Sequence, residues 1–293
     1  MKPLEFVQPT SLAEAVRLLA TQQAQTGLLS GGTDLIIQYR AGRRELLRMV
    51  DLKRIPELNV LEYDAKSGLR LGAAVSCAAL GEFAPARAHY PGLVEGAELI
   101  GSTQIQSRAT VGGNVCNGSP AADSICALIV LGAQCHVSGA GGQRVVPARD
   151  FMTGPGRTAL QPGEVLVEIR VPAQAPRTSS AYERFIPRNE MDIAVASAAA
   201  NVTLAADGKT VTAASVCIGA VAPTPLLVPD AAQAVQGKKL DAATLDAAAR
   251  AASQAAQPIS DVRGPAEYRR HLAAVLTRRV LQLAAQRAGQ SVT

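Results

Sequence analysis

A glycine-rich stretch, Thr110 to Asp123, constrains the fold more than any other part of this sequence. It contains the three glycines Gly112, Gly113 and Gly118 within fourteen residues, together with asparagines, hydroxyls and an aspartate. Glycines permit positive φ and let a ligand approach main-chain N–H groups. Successive N–H groups in such a turn form a concavity that binds anions such as phosphate. The stretch therefore predicts a turn that holds a ligand close to the backbone.

An apolar run, residues 125–131, follows the stretch and predicts a buried helix. Asp123 or Ser119 is a suitable N-cap for this helix, and Pro120 is tolerated in its first turn. The helix would direct the positive end of its dipole at the glycine-rich turn.

A second turn of the same kind lies upstream, at Ser30-Gly31-Gly32-Thr33-Asp34. Two Gly-Gly turns, each with a hydroxyl beside it and an aspartate after it, suit a ligand with two phosphates. Neither turn matches G-x-G-x-x-G or G-x-x-x-x-G-K-[ST], which argues against a Rossmann fingerprint and a P-loop. Taken alone, the stretch from Thr110 to Asp123 is better explained as a glycine-rich turn that caps a core helix, and the second turn shifts the balance towards a ligand site.

Length and composition narrow the class of protein. A chain of 293 residues predicts about two domains. The net charge of +5 is mild and spread along the chain, which disfavours a nucleic-acid partner. No signal-peptide core and no apolar run of about 18 residues is present, so we expect a cytoplasmic protein without a membrane span. Five cysteines without a C-x-x-C pair argue against disulfides, structural zinc and an iron–sulfur cluster in this chain.

The first 57 residues alternate strand and helix signals and predict a small α/β subdomain. A capping box begins at Ser11, strands are predicted at residues 6–7, 27–29 and 47–52, and a short helix at Asp34–Arg40. The first glycine turn then lies at the carboxyl end of a strand, where such sheets bind ligands.

Residues 58–175 predict a second subdomain. Its predicted elements are a hairpin about the turn at residues 64–68, helices at residues 77–83 and 92–100, and strands at residues 134–137 and 165–171.

From residue 176 the pattern is that of a separate unit. Residues 194–204 and 211–218 predict a hairpin that turns at Asp207-Gly208. Two helices, at residues 242–257 and 268–287, follow it. The arginines at 269, 270, 278 and 279 are interpreted as a solvated helix face, with a partner-docking face as the alternative.

The two glycine turns, their spacing of about eighty residues and the following Ser119-Pro-Ala-Ala-Asp123 together resemble the FAD-binding segments of molybdenum hydroxylase flavoproteins. These are the medium subunits of carbon monoxide dehydrogenase and the matching domain of xanthine dehydrogenase. The segment 187–194 and the helix start at residues 268–272 extend the resemblance over essentially the whole chain.

The resemblance implies an α+β fold of two domains. Residues 1–175 would form an FAD-binding domain of the vanillyl-alcohol-oxidase (PCMH-like) type with two α/β subdomains, at about 1–57 and 58–175. Residues 176–293 would form a C-terminal α+β domain of antiparallel sheet and helices, like that of carbon monoxide dehydrogenase flavoproteins.

The resemblance also implies a set of FAD-binding residues. The backbone of residues 28–35 and 110–114 would cradle the pyrophosphate, Asp123 would accept hydrogen bonds from hydroxyls near the ribityl chain, and Arg184 would stabilise reduced flavin. For Asp192, a place near the flavin ring competes with a local cap or a surface carboxylate. The full implied set is Leu28, Leu29, Ser30, Gly31, Gly32, Thr33, Asp34, Leu35, Ile100, Thr110, Gly112, Gly113, Asn114, Ser119, Asp123, Leu160, Arg184 and Asp192.

By this resemblance the chain is the FAD-carrying, electron-transfer subunit of a hetero-oligomeric oxidoreductase. Its partners would be a molybdopterin-containing large subunit and a small subunit with two [2Fe–2S] clusters, and its acceptor NAD⁺ or a quinone. Ile100 stands where xanthine dehydrogenases have an aromatic residue, which argues against nicotinamide binding of that type. No residue of this chain is assigned a catalytic or metal-binding role.

Two other functions are weighed against this one. A self-contained FAD oxidase is disfavoured because no histidine lies near either turn and a long substrate domain is missing. A flavin-free scaffold subunit is disfavoured by the intact glycine turns. Cys116, inside the second turn, is interpreted as a small buried apolar residue, with an oxidation-sensitive thiol as the alternative.

Overall fold

Three main sheets follow one another along the described part of the chain, each with its own helices, and a separate two-stranded sheet of residues 152–154 and 157–158 accompanies the second. The structure is a computed structural model that describes residues 4–20 and 25–289. No helix among these residues has both the length and the apolar composition needed to cross a membrane.

The first sheet is a parallel three-stranded sheet of order β1-β3-β2. Its unit consists of β1 (Glu5–Val7), α1 (Leu12–Ala20), β2 (Thr26–Leu29), α2 (Leu35–Arg40) and β3 (Arg48–Asp51). The predicted capping box is present in part: Ser11 Oγ accepts from Glu14 N at 3.3 Å, while the Glu14 carboxylate accepts from Thr10 N at 3.1 Å, one residue before the cap. The strand–helix alternation predicted from the sequence is confirmed.

The second sheet is antiparallel and five-stranded, of order β4-β5-β10-β6-β7. The elements of its unit are β4 (Leu61–Asp64), β5 (Gly68–Gly72), α3 (Cys77–Glu82), α4 (Ala84–His89), α5 (Pro91–Glu98), α6 (Thr103–Gln106), α7 (Val111–Cys116), α8 (Ile125–Val130), β6 (Gln134–Gly139), β7 (Gly142–Pro147), α9 (Ala148–Phe151), β8 (Met152–Gly154), β9 (Arg157–Thr158) and β10 (Val165–Val171).

The third sheet is antiparallel and four-stranded, of order β11-β12-β13-β14. Its unit contains β11 (Thr178–Phe185), β12 (Ala196–Leu204), β13 (Val211–Gly219), β14 (Leu226–Leu227), α10 (Pro229–Val235), α11 (Ala242–Ala255) and α12 (Ala266–Arg287). Asp207 accepts from the backbone N–H groups of Lys209 and Thr210, so the predicted turn is confirmed.

The helix predicted after the second glycine turn is α8, and all six of its residues are buried. It packs against both β12 and β13, and its side chains share one apolar core with Ala199 and Cys217 of those strands. An element that is apolar all round is therefore enclosed by other elements on every side. The predicted cap is wrong, because Ser124 is the N-cap and makes no side-chain cap bond.

The second glycine-rich stretch is also more regular than predicted. Residues 111–116 form the short helix α7 instead of an open turn. Thr110 caps this helix by accepting from Gly113 N at 2.8 Å. The α+β architecture predicted from the resemblance is nevertheless confirmed by the three sheets and their helices.

Candidate cofactor-binding site

A cleft of about 450 Å³ lies between the first and second units. Both glycine segments line it, although about eighty residues separate them in the chain. The predicted residues that line the cleft are Leu28, Ser30, Gly31, Gly32, Thr33, Asp34, Leu35, Ile100, Thr110, Gly112, Gly113, Asn114 and Leu160. The structure thus brings together thirteen of the residues implied by the resemblance.

Five residues of the implied set do not line this cleft. Leu29 is buried in a small apolar cluster beneath the first sheet. The others are Ser119, Asp123, Arg184 and Asp192.

Hydroxyl groups join the two glycine segments. The Ser30 hydroxyl donates to the carbonyl oxygen of Ala73 at 2.9 Å and lies 3.1 Å from Oγ1 of Thr110. That Oγ1 is also the cap of α7. The hydroxyls beside the two glycine turns therefore hold the protein's own backbone in place.

Two glycines are required by close packing between the segments. A Cβ on Gly31 would overlap the carbonyl oxygen of Arg108 and lie 2.9 Å from the Cα of Ala109. A Cβ on Gly112 would lie 2.6 Å from the Cα of Ala73. Real Cβ atoms do not approach other heavy atoms this closely, so both glycines let one backbone lie directly on another.

A side-chain hydrogen bond makes a further connection across the cleft. Gln38 Nε2, on α2, donates to Asn117 Oδ1, just after α7, at 3.0 Å. Both residues line the cleft. Sequence analysis missed them, because an amide pair 79 residues apart carries no local signal.

Lys53 supports the first glycine segment from behind. Its ammonium donates to the carbonyl oxygen of Ser30 at 3.1 Å and forms an ion pair with Asp51. Burial acts to raise the pKa of Asp51, but hydrogen bonds from Lys53 and Gln8 outweigh it and hold that pKa below its ordinary value. The carboxylate is therefore charged at neutral pH, and it fixes the lysine beneath the turn.

The first segment has backbone donors that suit an anionic ligand. The N–H groups of Gly31, Gly32, Thr33 and Asp34 donate to no other residue in the described part of the chain. All four residues line the cleft. Consecutive unpaired N–H groups are an anion-binding arrangement, so the residues present fit a dinucleotide that carries phosphates.

Cys116 lines the same cleft, but the pKa of its thiol is not lowered as it would be in a reactive cysteine. Burial raises its pKa to about 12, so the thiol is protonated at neutral pH. Because the thiolate is the reactive form, the interpretation as a small apolar residue is favoured over an oxidation-sensitive one.

Asp123 is engaged by protein side chains. Its two oxygens accept from Tyr182 Oη at 2.9 Å and from Arg184 at 2.7 Å, and the residue is 7% exposed. Burial raises the pKa of Asp123, while the Arg184 charge and the two hydrogen bonds act to lower it. The contact of Asp123 and Arg184 with a flavin stays a prediction.

Asp192 lies in the connection before β12. It accepts from Ile193 N at 2.8 Å and forms ion pairs with Arg188 at 3.2 Å and Arg263 at 3.9 Å. These contacts are those of the local-cap alternative, and the place near the flavin stays a prediction.

The interpretation of the α12 arginines as a solvated face is wrong for Arg269. This side chain is 4% exposed and donates to the carbonyl oxygens of Val195 at 3.0 Å and Ala220 at 3.4 Å. It also pairs with Asp261. Helical spacing alone could not show that this arginine is buried and donates to carbonyl oxygens just before β12 and just after β13.

Two family models match the chain. Residues 2–174 match the FAD binding domain in molybdopterin dehydrogenase, and residues 172–284 match the CO dehydrogenase flavoprotein C-terminal domain. The chain belongs to this flavoprotein family. It is the FAD subunit type of xanthine and carbon monoxide dehydrogenase complexes, FAD is its cofactor, and the alternative of a flavin-free scaffold is not supported.

Individual proteins agree with this membership. The chain is 36% identical to the carbon monoxide dehydrogenase medium chain of Afipia carboxidovorans, with 97% of each chain covered. It is 34% identical to the xanthine dehydrogenase FAD-binding subunit of Escherichia coli O157:H7, with 97% of each covered. Among solved structures, carbon monoxide dehydrogenase from Hydrogenophaga pseudoflava superimposes with a TM-score of 0.92 at 33% identity, covering 97% of this chain and 98% of that one.

Proposed function

We propose that this flavoprotein is the electron-transfer subunit of a molybdenum hydroxylase complex. It would take electrons from the [2Fe–2S] clusters of a small partner subunit and pass them to an external acceptor, NAD⁺ or a quinone. A molybdopterin-containing large subunit would oxidise the organic substrate. The complex would work in the cytoplasm. Bound FAD supplies the redox chemistry, since it exchanges electrons with both one- and two-electron partners.

The observation that carries this proposal is the cleft with both glycine segments at its wall. Unpaired N–H groups at Gly31 to Asp34 provide donors for a diphosphate. The Ser30–Thr110 and Gln38–Asn117 contacts hold the two walls at a fixed separation. A site built in this way binds and orients a cofactor, and it requires no general acid or base from the chain.

The remaining residues implied by the resemblance are expected to contribute less to FAD binding. Ile100 and Leu160 would provide apolar contacts at the cleft wall. Asp123 and Arg184 form an ion pair at 2.7 Å outside the cleft. We place this pair near the flavin end of the cofactor, with β11 positioning Arg184. Ser119 and Asp192 are proposed as peripheral contacts only.

The test uses the complex purified with its native partners through an affinity tag on this chain. Metal analysis of the purified material should find molybdenum and iron in addition to FAD. The complex is then reduced with a limiting amount of reduced methyl viologen, the viologen is removed, and reduction of NAD⁺ and of a soluble quinone by the reduced complex is followed separately.

The decisive sample is the same complex after FAD has been removed. We expect its iron–sulfur clusters still to be reduced, while acceptor reduction stops and returns when FAD is added. Acceptor reduction at an unchanged rate without FAD would contradict the proposal, as would purification of the tagged chain without molybdenum or iron.

A further inference from the structure

We propose that Arg44 is the cation that binds the FAD diphosphate in the cleft and thereby makes the site prefer FAD to riboflavin. The inference rests on the FAD site of this chain and is independent of the path that electrons take.

The charges at the cleft wall single out Arg44. Three charged side chains line the described part of the cleft: Asp34, Glu164 and Arg44. Glu164 is neutralised by Arg144, whose Nε lies 2.7 Å from one carboxylate oxygen and whose terminal nitrogen lies 2.6 Å from the other. Asp34 has no such partner among the residues that the structure describes. Without Arg44 the side chains at the wall would therefore carry a net negative charge, which opposes binding of a diphosphate whose two phosphates are both ionised near neutral pH.

Arg44 is available for a ligand. Its side chain is exposed, and no hydrogen bond or ion pair joins it to another described residue. A guanidinium presents planar donors that match phosphate oxygens in a bidentate way. In a partly enclosed cleft such a contact is stronger than at an open surface.

The chain holds Arg44 at the rim of the cleft through the end of α2. Gly42 N donates to Tyr39 O at 3.1 Å and Arg43 N donates to Gln38 O at 2.9 Å. With Gly42 at φ +70°, these two bonds form a Schellman motif that reverses the chain. Gln38 itself lines the cleft. Arg44, the residue that follows this motif, therefore lies beside the ligand site.

The neighbouring residue Arg43 provides a matched control for Arg44. Arg43 is exposed, has no side-chain partner in the described ranges and does not line the cleft. Arg43→Ala and Arg44→Ala therefore remove the same charge from adjacent positions, and neither change removes a hydrogen bond or an ion pair to a described residue.

The experiment measures dissociation constants of the flavin-free chain for FAD, riboflavin, ADP and adenosine at several salt concentrations. For Arg44→Ala we expect FAD and ADP to bind about tenfold to a hundredfold more weakly, with a smaller dependence on salt. Riboflavin and adenosine should bind as they do to the unmodified chain. Arg43→Ala should change FAD binding less than about twofold, and Arg44→Lys should retain part of the affinity.

Three outcomes would overturn the assignment. Equal losses in Arg43→Ala and Arg44→Ala would show a general surface-charge effect. An equal loss for ADP and adenosine would show that Arg44 stacks on adenine instead of binding phosphate. A loss for riboflavin as large as that for FAD would show a change in the shape of the cleft. Failure of the electron-transfer proposal would leave all these binding constants unchanged, so the two proposals are tested separately.

Discussion

At Gly31 the place of a side chain is occupied by the backbone of the other glycine segment. A Cβ there would overlap the carbonyl oxygen of Arg108. We expect Gly31→Ala to force the segments apart, to lower the free energy of unfolding by about 1–3 kcal/mol and to weaken FAD binding. Urea unfolding and FAD titration measure both effects. Gly141→Ala is the control, because nothing lies within 4 Å of a Cβ at that position. Equal behaviour of the two variants would contradict the expectation.

Asp34 gives FAD binding a predicted pH dependence. Its carboxyl lines the cleft, and burial raises its pKa above the ordinary 3.8. A diphosphate nearby favours the neutral acid, so by linkage protonation tightens FAD binding. We expect the dissociation constant of FAD to fall as pH is lowered from 7 towards 5, and Asp34→Asn to bind FAD tightly with little pH dependence.

The outcome that would contradict this expectation is weaker FAD binding by Asp34→Asn at every pH. In that case the carboxylate would accept a hydrogen bond from a cofactor hydroxyl. Repeating the titration with riboflavin provides the control, because a ligand without phosphates should bind with the same affinity at each pH.

The residues of this site divide into those with a local signal and those without one. Ser30 to Asp34 could be predicted because Gly-Gly beside a hydroxyl at the end of a strand is a short-range pattern. The proposed role of Arg44 and the Gln38–Asn117 contact could not be, since both depend on where α2 places its end relative to α7. The pairing of Asp123 with Arg184 likewise depends on the contact between two units.

At the scale of elements, α2 and α7 both line the cleft, and an amide pair joins α2 to the residue that follows α7. Gln38 donates to Asn117 at 3.0 Å. We expect Gln38→Ala and Asn117→Ala each to increase the dissociation rate of FAD a few-fold. In a double-mutant cycle the coupling energy for unfolding should be about 0.5–1.5 kcal/mol.

The coupling is measured by urea unfolding of the two single variants and the double variant, and FAD release by flavin fluorescence. Gln104→Ala, an exposed amide on α6, removes a side chain that makes no hydrogen bond in the described structure. It should leave both quantities unchanged. Strictly additive effects of the two single variants would show that the hydrogen bond does not connect the walls.

Short helices show why part of the fold could not be predicted. α7 contains Gly112 and Gly113, and each glycine in a helix interior costs about 1 kcal/mol relative to alanine. The helix forms because Thr110 caps it and Gly112 packs on Ala73. By contrast α8 could be predicted, because six consecutive buried apolar residues leave few alternatives. Formation of α7 therefore depends on tertiary contacts, whereas α8 follows from the sequence pattern alone.

At the scale of the whole molecule, a buried ion pair fastens the second unit to the third. Asp123 precedes α8, and Arg184, whose side chain is 5% exposed, lies on β11. Removing one partner leaves the other charge buried, so we expect Asp123→Ala to lower the free energy of unfolding by about 3–5 kcal/mol. The apolar double variant Asp123→Leu with Arg184→Met should recover much of that loss.

Comparison of these variants also tests whether the Asp123–Arg184 pair contacts the cofactor. If neither side chain does, the double variant should bind FAD nearly as well as the unmodified chain. If either side chain binds the cofactor directly, FAD affinity should stay low although stability recovers. Unchanged unfolding of Asp123→Ala would contradict the fastening role.

Since the cleft lies between the first and second units, FAD should stabilise both together. Free FAD at a hundred times its dissociation constant should raise the free energy of unfolding by about 2.7 kcal/mol. Hydrogen exchange should then slow most in peptides covering residues 26–40 and 110–117, which form the two walls. Peptides of β12 and β13, outside the cleft, serve as the internal control. Protection confined to those strands would place the cofactor elsewhere, because a ligand slows exchange first where it suppresses local opening.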